Sequence, residues 1–355
     1  MIRVLIVGTF GGGGIHHYAE AQRDHLADDL EVSTYDMFTA VGGEGVVWFL
    51  SSLVRSLWAA LGFPFRRPPD VVHVHTSHRF SFYRASFYVL FAAHVWRRPV
   101  VLHVHGSSFD DFLEDRSWWQ ARLQSLVFDA TDHVIVLSEY WRDVLSDHVG
   151  GATVSAVPNA VDPGEYDPAF GGDPHVVFVS NLIERKGVTE LVAALDRLQT
   201  DREFRASIAG RGPLAPAVED LADRHENVEY PGYVSEAEKR ALLDSGTMFV
   251  LPAYAEGLPI AMLEGMAGGN AVVATDVGSI PEVITDENGI LVEPGDAEGL
   301  TGALETLLAD PERAERMGRT NRRLVRERYS WEAATERLCR IYERETRTGP
   351  AVNSD

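Results

Sequence analysis

The stretch "MFVLPAYAEGLPIAMLEGMAGGNAVVATD", Met248–Asp276, has the pattern of a strand, a loop, a helix and a second strand. Its two ends are apolar and rich in valine, as in the buried strands of a parallel sheet. Pro259 suits the first position of the helix, and Gly268-Gly269 suits its end. The pattern predicts an α/β fold in which Glu256 follows a strand and Glu264 lies inside the next helix.

The same alternation of strands and helices runs through almost the whole chain. It predicts two doubly wound, Rossmann-like parallel-sheet domains, residues 1–165 and 172–329, that face a central cleft. A loop rich in Pro, Gly and Asp, Pro158–Pro174, separates them. We expect residues 330–346 to form a closing helix, capped by Ser330, that packs back on the first domain, and residues 347–355 to be a flexible tail. The segments expected to be strands are "IRVLIVG", "LEVSTYD", "VVHVHTS", "PVVLHVHG", "HVIVLS" and "VSAVPNAV" in the first domain, and "HVVFVSN", "RASIAG", "VEYPGY", "MFVLPAY" and "AVVATD" in the second.

Composition indicates a globular protein with an acidic surface. The chain has 355 residues, 45% of them hydrophobic and 24% charged, with one cysteine, Cys339, which excludes an internal disulfide. The start does not resemble a signal peptide, and no long uncharged apolar stretch occurs, so we expect a cytoplasmic protein. A net charge of −21 weighs against nucleic acid as a partner. A salt-rich cytoplasm and an arginine-favouring genome both explain the acidic, lysine-poor composition.

One window departs from this acidity. Residues 45–109 hold seven arginines and one acid, Asp70, and also the most apolar part of the chain. Positive charge beside exposed apolar side chains is typical of a surface that meets an anionic membrane. We therefore expect Arg55, Arg66 and Arg67 to contact a membrane or a lipid-linked acceptor; the alternative is a core helix followed by a solvated loop.

A glycine-rich turn, Gly11–Gly14, follows the first predicted strand. Its backbone could approach a phosphate at the start of the next helix. Asp36, at the end of the second strand, keeps a dinucleotide site open as an alternative.

Two further loops follow predicted strands. "HVHGSSFDDF" places His105 after a central strand, with Asp110 and Asp111 as candidate contacts for an acceptor hydroxyl or as plain helix starters. "NLIERKG" places Arg185 and Lys186 before a helix, where cations suit a diphosphate.

The motif P-x3-E-G-L-P…L-E-G-M-A…G, with "NGILVEPGD" after it, resembles the sugar-donor site of family 4 retaining glycosyltransferases of the GT-B fold. Similar pieces occur in order over nearly the whole chain. They include the glycine loop, "HVHGSSF", "VPNAVDP", "AGRGPL", "PGYVSEAE" and "YSWEAATERL".

The resemblance implies a role for each matching residue. Glu264 would hold the ribose of a nucleoside-diphosphate sugar, Glu256 would face the sugar, and Lys186 would neutralise the diphosphate. His105 would contact the transferred sugar near the reacting face. The other residues implied to surround the sugar donor are Gly12, Gly13, Arg185, Gly257, Leu258 and Pro259.

The sequence departs from the family at one position. Asn181 stands where the family often has an arginine, five residues before the lysine, and Arg185 could supply that charge from another direction. No D-x-D pair occurs, so neither a metal nor a cofactor is expected.

The leading interpretation is a metal-independent, retaining glycosyltransferase that uses a UDP- or GDP-linked sugar. Its acceptor would be a polyprenyl-phosphate-linked or other glycan at the inner face of the cell membrane. The alternatives are a nucleotide-sugar epimerase of similar shape, an NAD-dependent oxidoreductase and a non-catalytic partner subunit.

Overall fold

The computed structural model describes residues 1–10, 14–26, 30–37, 46–107, 109–114, 116–198 and 203–348. The chain divides into two compact units. One comprises Met1–Asn159 and the chain from Trp331 onward, and the other comprises Ala160–Ser330. Of the predicted features, Gly12, Gly13 and most of the expected tail lie outside the described residues.

The first unit is built on a six-stranded parallel sheet in the order β2-β1-β3-β4-β5-β6. All six strands predicted for this part of the chain are present. They are β1 (Arg3–Gly8), β2 (Glu31–Asp36), β3 (Val71–Thr76), β4 (Val100–Val104), β5 (His133–Val136) and β6 (Thr153–Ala156). The helices are α1 (Gly14–Leu26), α2 (Val46–Gly62), α3 (Phe80–Phe91), α4 (Phe109–Glu114), α5 (Trp118–Asp129), α6 (Glu139–Ser146) and, from the end of the chain, α14 (Trp331–Thr348).

The second unit contains another six-stranded parallel sheet, in the order β12-β11-β10-β7-β8-β9. The sequence predicted five of these strands. The sheet consists of β7 (His175–Val179), β8 (Arg205–Ala209), β9 (Val228–Gly232), β10 (Met248–Leu251), β11 (Ala271–Thr275) and β12 (Gly289–Val292). The helices are α7 (Val188–Arg197), α8 (Ala215–Arg224), α9 (Glu236–Ser245), α10 (Ile260–Ala267), α11 (Ile280–Val283), α12 (Ala297–Ala309) and α13 (Pro311–Arg328).

Strand order determines where a ligand can bind in each unit. In the second sheet the chain proceeds outward in both directions from the neighbouring strands β7 and β10. Loops that leave such a pair diverge to opposite faces and open a crevice at the carboxyl ends of the strands. The loops after β7 and β10 carry Lys186 and Glu256, so the fold places both predicted residues beside this crevice.

Helix α10 begins one residue later than the sequence predicted. Pro259 has φ −71° and ψ 119° and is the residue before the helix, not its first residue. Its carbonyl accepts hydrogen bonds from the amides of Met262 and Leu263, so it caps the helix while its own backbone stays extended. The predicted end is correct, because the helix stops at Gly268 and Gly269 has φ +75°.

In the part of the chain that the structure describes, no helix has both the length and the apolar character needed to cross a bilayer.

Candidate active site

The β7–α7 and β10–α10 loops of the second unit are joined by a charged pair. Lys186 ends a short 3-10 turn, Glu184–Lys186, and its ammonium group donates to the Glu256 carboxylate. The two side chains are only 13% and 8% exposed. The sequence pointed to both residues but not to their contact, since 70 positions separate them in the chain.

Backbone contacts hold the same two loops together. The guanidinium of Arg185 donates to the carbonyl of Ala255 at 2.6 Å, and the amide of Tyr254 donates to the carbonyl of Arg185 at 2.9 Å. Arg185 therefore braces the loop that carries Glu256. Asn181 lies exposed at the start of the β7–α7 loop, and its carbonyl accepts the amide of Ile183.

Two glycines allow the backbone segments around Glu256 to approach one another. Gly187 has φ +67°, and a Cβ there would lie 1.8 Å from the carbonyl oxygen of Pro252. Gly278 has φ +56°, and a Cβ there would lie 1.9 Å from the carbonyl oxygen of Glu256. Both positions exclude any side chain, so neighbouring backbone packs closely against the β10–α10 loop at Pro252 and again at Glu256.

The three residues after Glu256 form the entry to α10. The carbonyl of Gly257 accepts the amide of Ser279 at 3.1 Å, and Leu258 is buried. Pro259 then caps the helix. Helices α7 and α10 thus begin directly after the two loops. The backbone amides at a helix N-terminus favour an anionic ligand.

Glu264 lies one turn into α10 and is paired with a residue that the sequence analysis did not select. The ammonium of Lys239, on α9, donates to Oε1 of Glu264 at 2.7 Å. Burial raises the pKa of Glu264, and the charge of Lys239 opposes that rise. The rarity of lysine could have drawn attention to Lys239, because the chain contains only two lysines and the other is Lys186.

His105 follows β4 in the first unit and is held by two side chains. A hydrogen bond of 2.8 Å joins its Nε2 to Nδ1 of His75, and another joins the ring to Asn159. Although the residue keeps some solvent exposure, burial of the ring lowers the pKa of His105 to about 3, and the bond with Asn159 opposes that effect. The imidazole is therefore neutral at physiological pH.

Three more histidines lie beneath His105 on the same face of the sheet. His73 and His75 come from β3 and His103 from β4, each is buried, and burial lowers the pKa of all three. The signal that could have revealed them is the repeated H-x-H in "VVHVHT" and "VLHVHG" on adjacent strands.

His73, His75 and His103 each offer a ring nitrogen within 4.8 Å of the other two. The geometry does not suit a metal ion, however. The rings of His73 and His75 are stacked at 4.6 Å with 30° between their planes. An ion bound about 2 Å from one nitrogen in its ring plane would lie outside the plane of the stacked neighbour. The cluster is better described as an array of neutral rings that supports His105.

The remaining predicted residues of the first unit occupy the start of α4 and the end of β2. Asp110 and Asp111 lie in the first turn of α4, where carboxylates stabilise a helix, and Asp110 hydrogen-bonds Tyr140. Asp36 accepts the backbone amide of Phe10 at 3.1 Å. Asp36 therefore binds its own chain, which weakens the dinucleotide alternative.

Helix α2 presents apolar side chains to the solvent. Trp58 is 72% exposed and Phe65, just after the helix, is 89% exposed. Arg55, Arg66 and Arg67 are exposed on the same segment. The other exposed apolar residues of the segment are Leu53, Val54, Leu57 and Leu61. The expected combination of basic and apolar groups is therefore present on one surface, which we call the α2 surface.

Two family descriptions match successive parts of the chain. "Glycosyltransferase Family 4" matches residues 7–165, and "Glycosyl transferases group 1" matches residues 173–310. Together they cover most of the sequence, and the chain belongs to this family of glycosyltransferases.

Two relatives illustrate the range of the family. The chain is 34% identical over 247 residues to the alpha-maltose-1-phosphate synthase of Mycolicibacterium smegmatis, covering 60% of this chain and 63% of the relative. It is 31% identical over 218 residues to a GDP-mannose-dependent monoacylated alpha-(1-6)-phosphatidylinositol monomannoside mannosyltransferase of Corynebacterium glutamicum, covering 55% and 57%. The chain thus spans about three fifths of the length of these relatives.

Solved structures show the same fold. The Anabaena protein HepE in complex with UDP superposes with a TM-score of 0.76 at 16% identity, over 97% of this chain and all of that one. The two parallel six-stranded sheets with surrounding helices are those of the GT-B class, as the sequence predicted.

Proposed function

We propose that the chain is a metal-independent, retaining glycosyltransferase that takes a sugar from a UDP- or GDP-linked sugar. The observation that carries the proposal is the pairing of Lys186 with Glu256 across the crevice of the second unit, together with the pairing of Lys239 on α9 with Glu264 on α10. Family membership and the named sugar donor of the mannosyltransferase relative support the same reaction class.

The sugar donor would bind along α10. Glu264 would accept hydrogen bonds from the ribose hydroxyls, and Glu256 would face the sugar beyond Gly257, Leu258 and Pro259. The diphosphate would then lie at the N-termini of α7 and α10, within reach of Lys186. Departure of a nucleoside diphosphate creates negative charge, and fixed cations with helix N-termini stabilise that charge in place.

Arg185 and Asn181 have supporting roles in this proposal. Arg185 is bound to the carbonyl of Ala255, so it contributes its charge from the back of the β10–α10 loop. Asn181 is exposed at the carboxyl end of β7, where its amide can contact a phosphate oxygen. Gly12 and Gly13, which lie outside the described residues, would approach the same phosphates.

The acceptor would be held by the first unit. His105 is neutral and is oriented by His75. It would contact a hydroxyl of the transferred sugar while partial positive charge develops on the sugar ring. Asp110 and Asp111 are the candidate contacts for the acceptor hydroxyl. The α2 surface would place this unit on an anionic bilayer, at the inner face of the cell membrane, where a polyprenyl-phosphate-linked glycan is the acceptor.

Slow transfer of the sugar to water gives a direct test that needs no known acceptor. The protein is incubated in EDTA with UDP- and GDP-linked glucose and mannose, and the products are followed by proton NMR. We expect release of one nucleoside diphosphate and of a sugar that first appears in the anomeric configuration of the sugar donor. An epimerised nucleotide-sugar with no diphosphate released would instead identify an epimerase, and turnover that depends on added metal would contradict the proposal.

A further inference from the structure

The two lysines of the chain are used in the same way. Lys186 contacts Glu256 and Lys239 contacts Glu264, the two carboxylates of the E-x7-E motif. The resemblance to the family gives a role to Lys186 but none to Lys239.

The position of Lys239 is fixed by helix α9. Ser235 caps this helix through a reciprocal pair of bonds with Glu238, and the amide of Lys239 donates to the carbonyl of Ser235 at 2.8 Å. From there the ammonium reaches both Oε1 of Glu264 and Oε2 of Glu236, each at 2.7 Å. Its side chain is 15% exposed and that of Glu264 is 14% exposed, so the contact is largely shielded from water.

Glu264 is surrounded by charged and titratable groups from two segments. Helix α9 contributes Lys239, Glu236 and Arg240, and the segment before β7 contributes Tyr166. Arg240 is itself paired with Glu165 at 2.9 Å, and Glu236 is largely exposed. Lys239 is therefore the cation that directly compensates the buried carboxylate.

We propose that Lys239 is a positioning residue for the nucleotide, which keeps Glu264 as an ionised carboxylate oriented towards the ribose. Because the ammonium contacts Oε1, the other oxygen, Oε2, is the one that can accept a ribose hydroxyl. Hydrogen bonds to an ionised carboxylate are about twice as strong as those to a neutral acid. This role rests on the proposed function of Glu264 as the ribose ligand.

The groups that shift the pKa values of Glu264 and Lys239 agree with this geometry. Burial raises the pKa of Glu264, and Lys239 is the strongest influence that lowers it. Burial alone would lower the pKa of Lys239, but Glu264 and Glu236 together raise it. Each charge thus favours the charged form of the other. Removal of Lys239 would raise the pKa of Glu264 further and so favour the protonated acid.

The test compares Lys239→Met with the wild type in binding of UDP and GDP between pH 6 and pH 9. The terminal phosphate of UDP or GDP itself titrates at about pH 6, so each variant is compared with the wild type at the same pH. Relative to the wild type, Lys239→Met should bind the nucleotide about tenfold more weakly at pH 6 for each unit by which the pKa of Glu264 rises above that pH, and the difference should diminish towards pH 9. Lys239→Arg should restore the wild-type profile, and Glu236→Gln is the matched control, because it removes the other partner of Lys239 and leaves Glu264 paired. Uniform weakening of Lys239→Met at every pH would overturn the inference.

A measurement without nucleotide separates this inference from the proposed function. A carboxylate whose pKa is raised by folding stabilises the native state at low pH, and that contribution is lost as the pH rises through the folded pKa. Thermal unfolding of Lys239→Met should therefore show this loss at higher pH than the wild type, and Lys239→Met/Glu264→Gln should not show it. If neither UDP nor GDP binds but this shift occurs, the proposed function fails and Lys239 still controls the charge of Glu264. If the two unfolding profiles coincide, the inference fails whatever the nucleotide does.

Discussion

The buried histidine His103 in the first unit shows how burial determines the protonation state of a side chain. His103 is fully buried, its ring is stacked on that of His105 at 4.0 Å, and its Nε2 has no hydrogen-bond partner among the described residues. Burial lowers the pKa of His103 well below its ordinary value, so it is neutral in the folded protein and protonated in the unfolded chain at mildly acidic pH.

This difference predicts a specific acid sensitivity. A depressed pKa in the folded state gives stability that is complete above the unfolded pKa of about 6.5 and is lost as the pH falls below it. Each such histidine contributes up to about 1.4 kcal/mol of unfolding free energy per pH unit in that window. His103→Leu should therefore flatten the dependence of the unfolding free energy on pH between 6.5 and 5. The exposed His94→Gln serves as the control, and an unchanged slope in His103→Leu would show that the array is not the source of the sensitivity.

The sequence indicated which charged or polar residues are candidates for the site but not which side chains they contact. Glu256, Glu264, Lys186 and His105 could be selected because each lies after a predicted strand or in a recognisable motif. Their partners could not, because Lys239 and His75 approach them only through the packing of distant segments. Side-chain pairing depends on the relative placement of neighbouring elements, and local patterns do not contain that information.

At the scale of elements, helix α2 differs from a water-facing helix in its exposed apolar side chains. Among its described side chains, Ser52 and Ala59 are buried, and the carbonyl of Ala59 accepts the hydroxyl of Tyr35 at 2.6 Å. Its other described side chains include exposed tryptophan and leucine beside arginine. Contiguous exposed apolar surface of this kind marks an interaction site.

The α2 surface predicts binding to anionic vesicles. An arginine near an anionic lipid surface contributes about 1 kcal/mol of binding free energy. The double variant Arg66→Ser/Arg67→Ser should therefore sediment with phosphatidylglycerol vesicles at low salt much less than the wild type does. Neither the wild type nor this variant should bind phosphatidylcholine vesicles strongly. Arg323→Ser/Arg326→Ser, an exposed pair in the second unit, removes the same charge and should bind like the wild type. Equal losses in both double variants would mean that only net charge matters, and the α2 surface would then have no special role.

Strands and helices were more predictable than their boundaries. Eleven strands were predicted from the sequence, most of them from apolar runs typical of strands that are covered on both faces. Strand β12 was not selected because it has four residues at the edge of its sheet, and three of them are only partly buried. The start of α10 was misplaced because proline suits both the first turn and the position before it, and only the ψ angle of Pro259 distinguishes them.

At the scale of the whole molecule, charge is distributed unevenly. The chain carries −21, yet residues 45–109 hold seven arginines against a single acid. An acidic surface repels phosphates at long range, and at 0.1 M salt exposed charges more than about 10 Å apart are largely screened from one another. Nearby cations such as Lys186 and Arg185 would then dominate the binding of the proposed diphosphate, and assays of nucleotide binding should include salt.

Thermal unfolding with UDP, GDP, ADP or NADH in EDTA at high salt is the decisive measurement for a nucleoside-diphosphate-sugar site in the second unit. The proteins are the wild type, Glu264→Ala and the control Glu236→Gln. We expect UDP or GDP, at about 100 times its dissociation constant, to stabilise the wild type and Glu236→Gln by about 2.7 kcal/mol. We expect Glu264→Ala to lose most of this stabilisation. Stabilisation by NADH alone, equal in all three proteins, would contradict the assignment of the second unit as a nucleoside-diphosphate-sugar site.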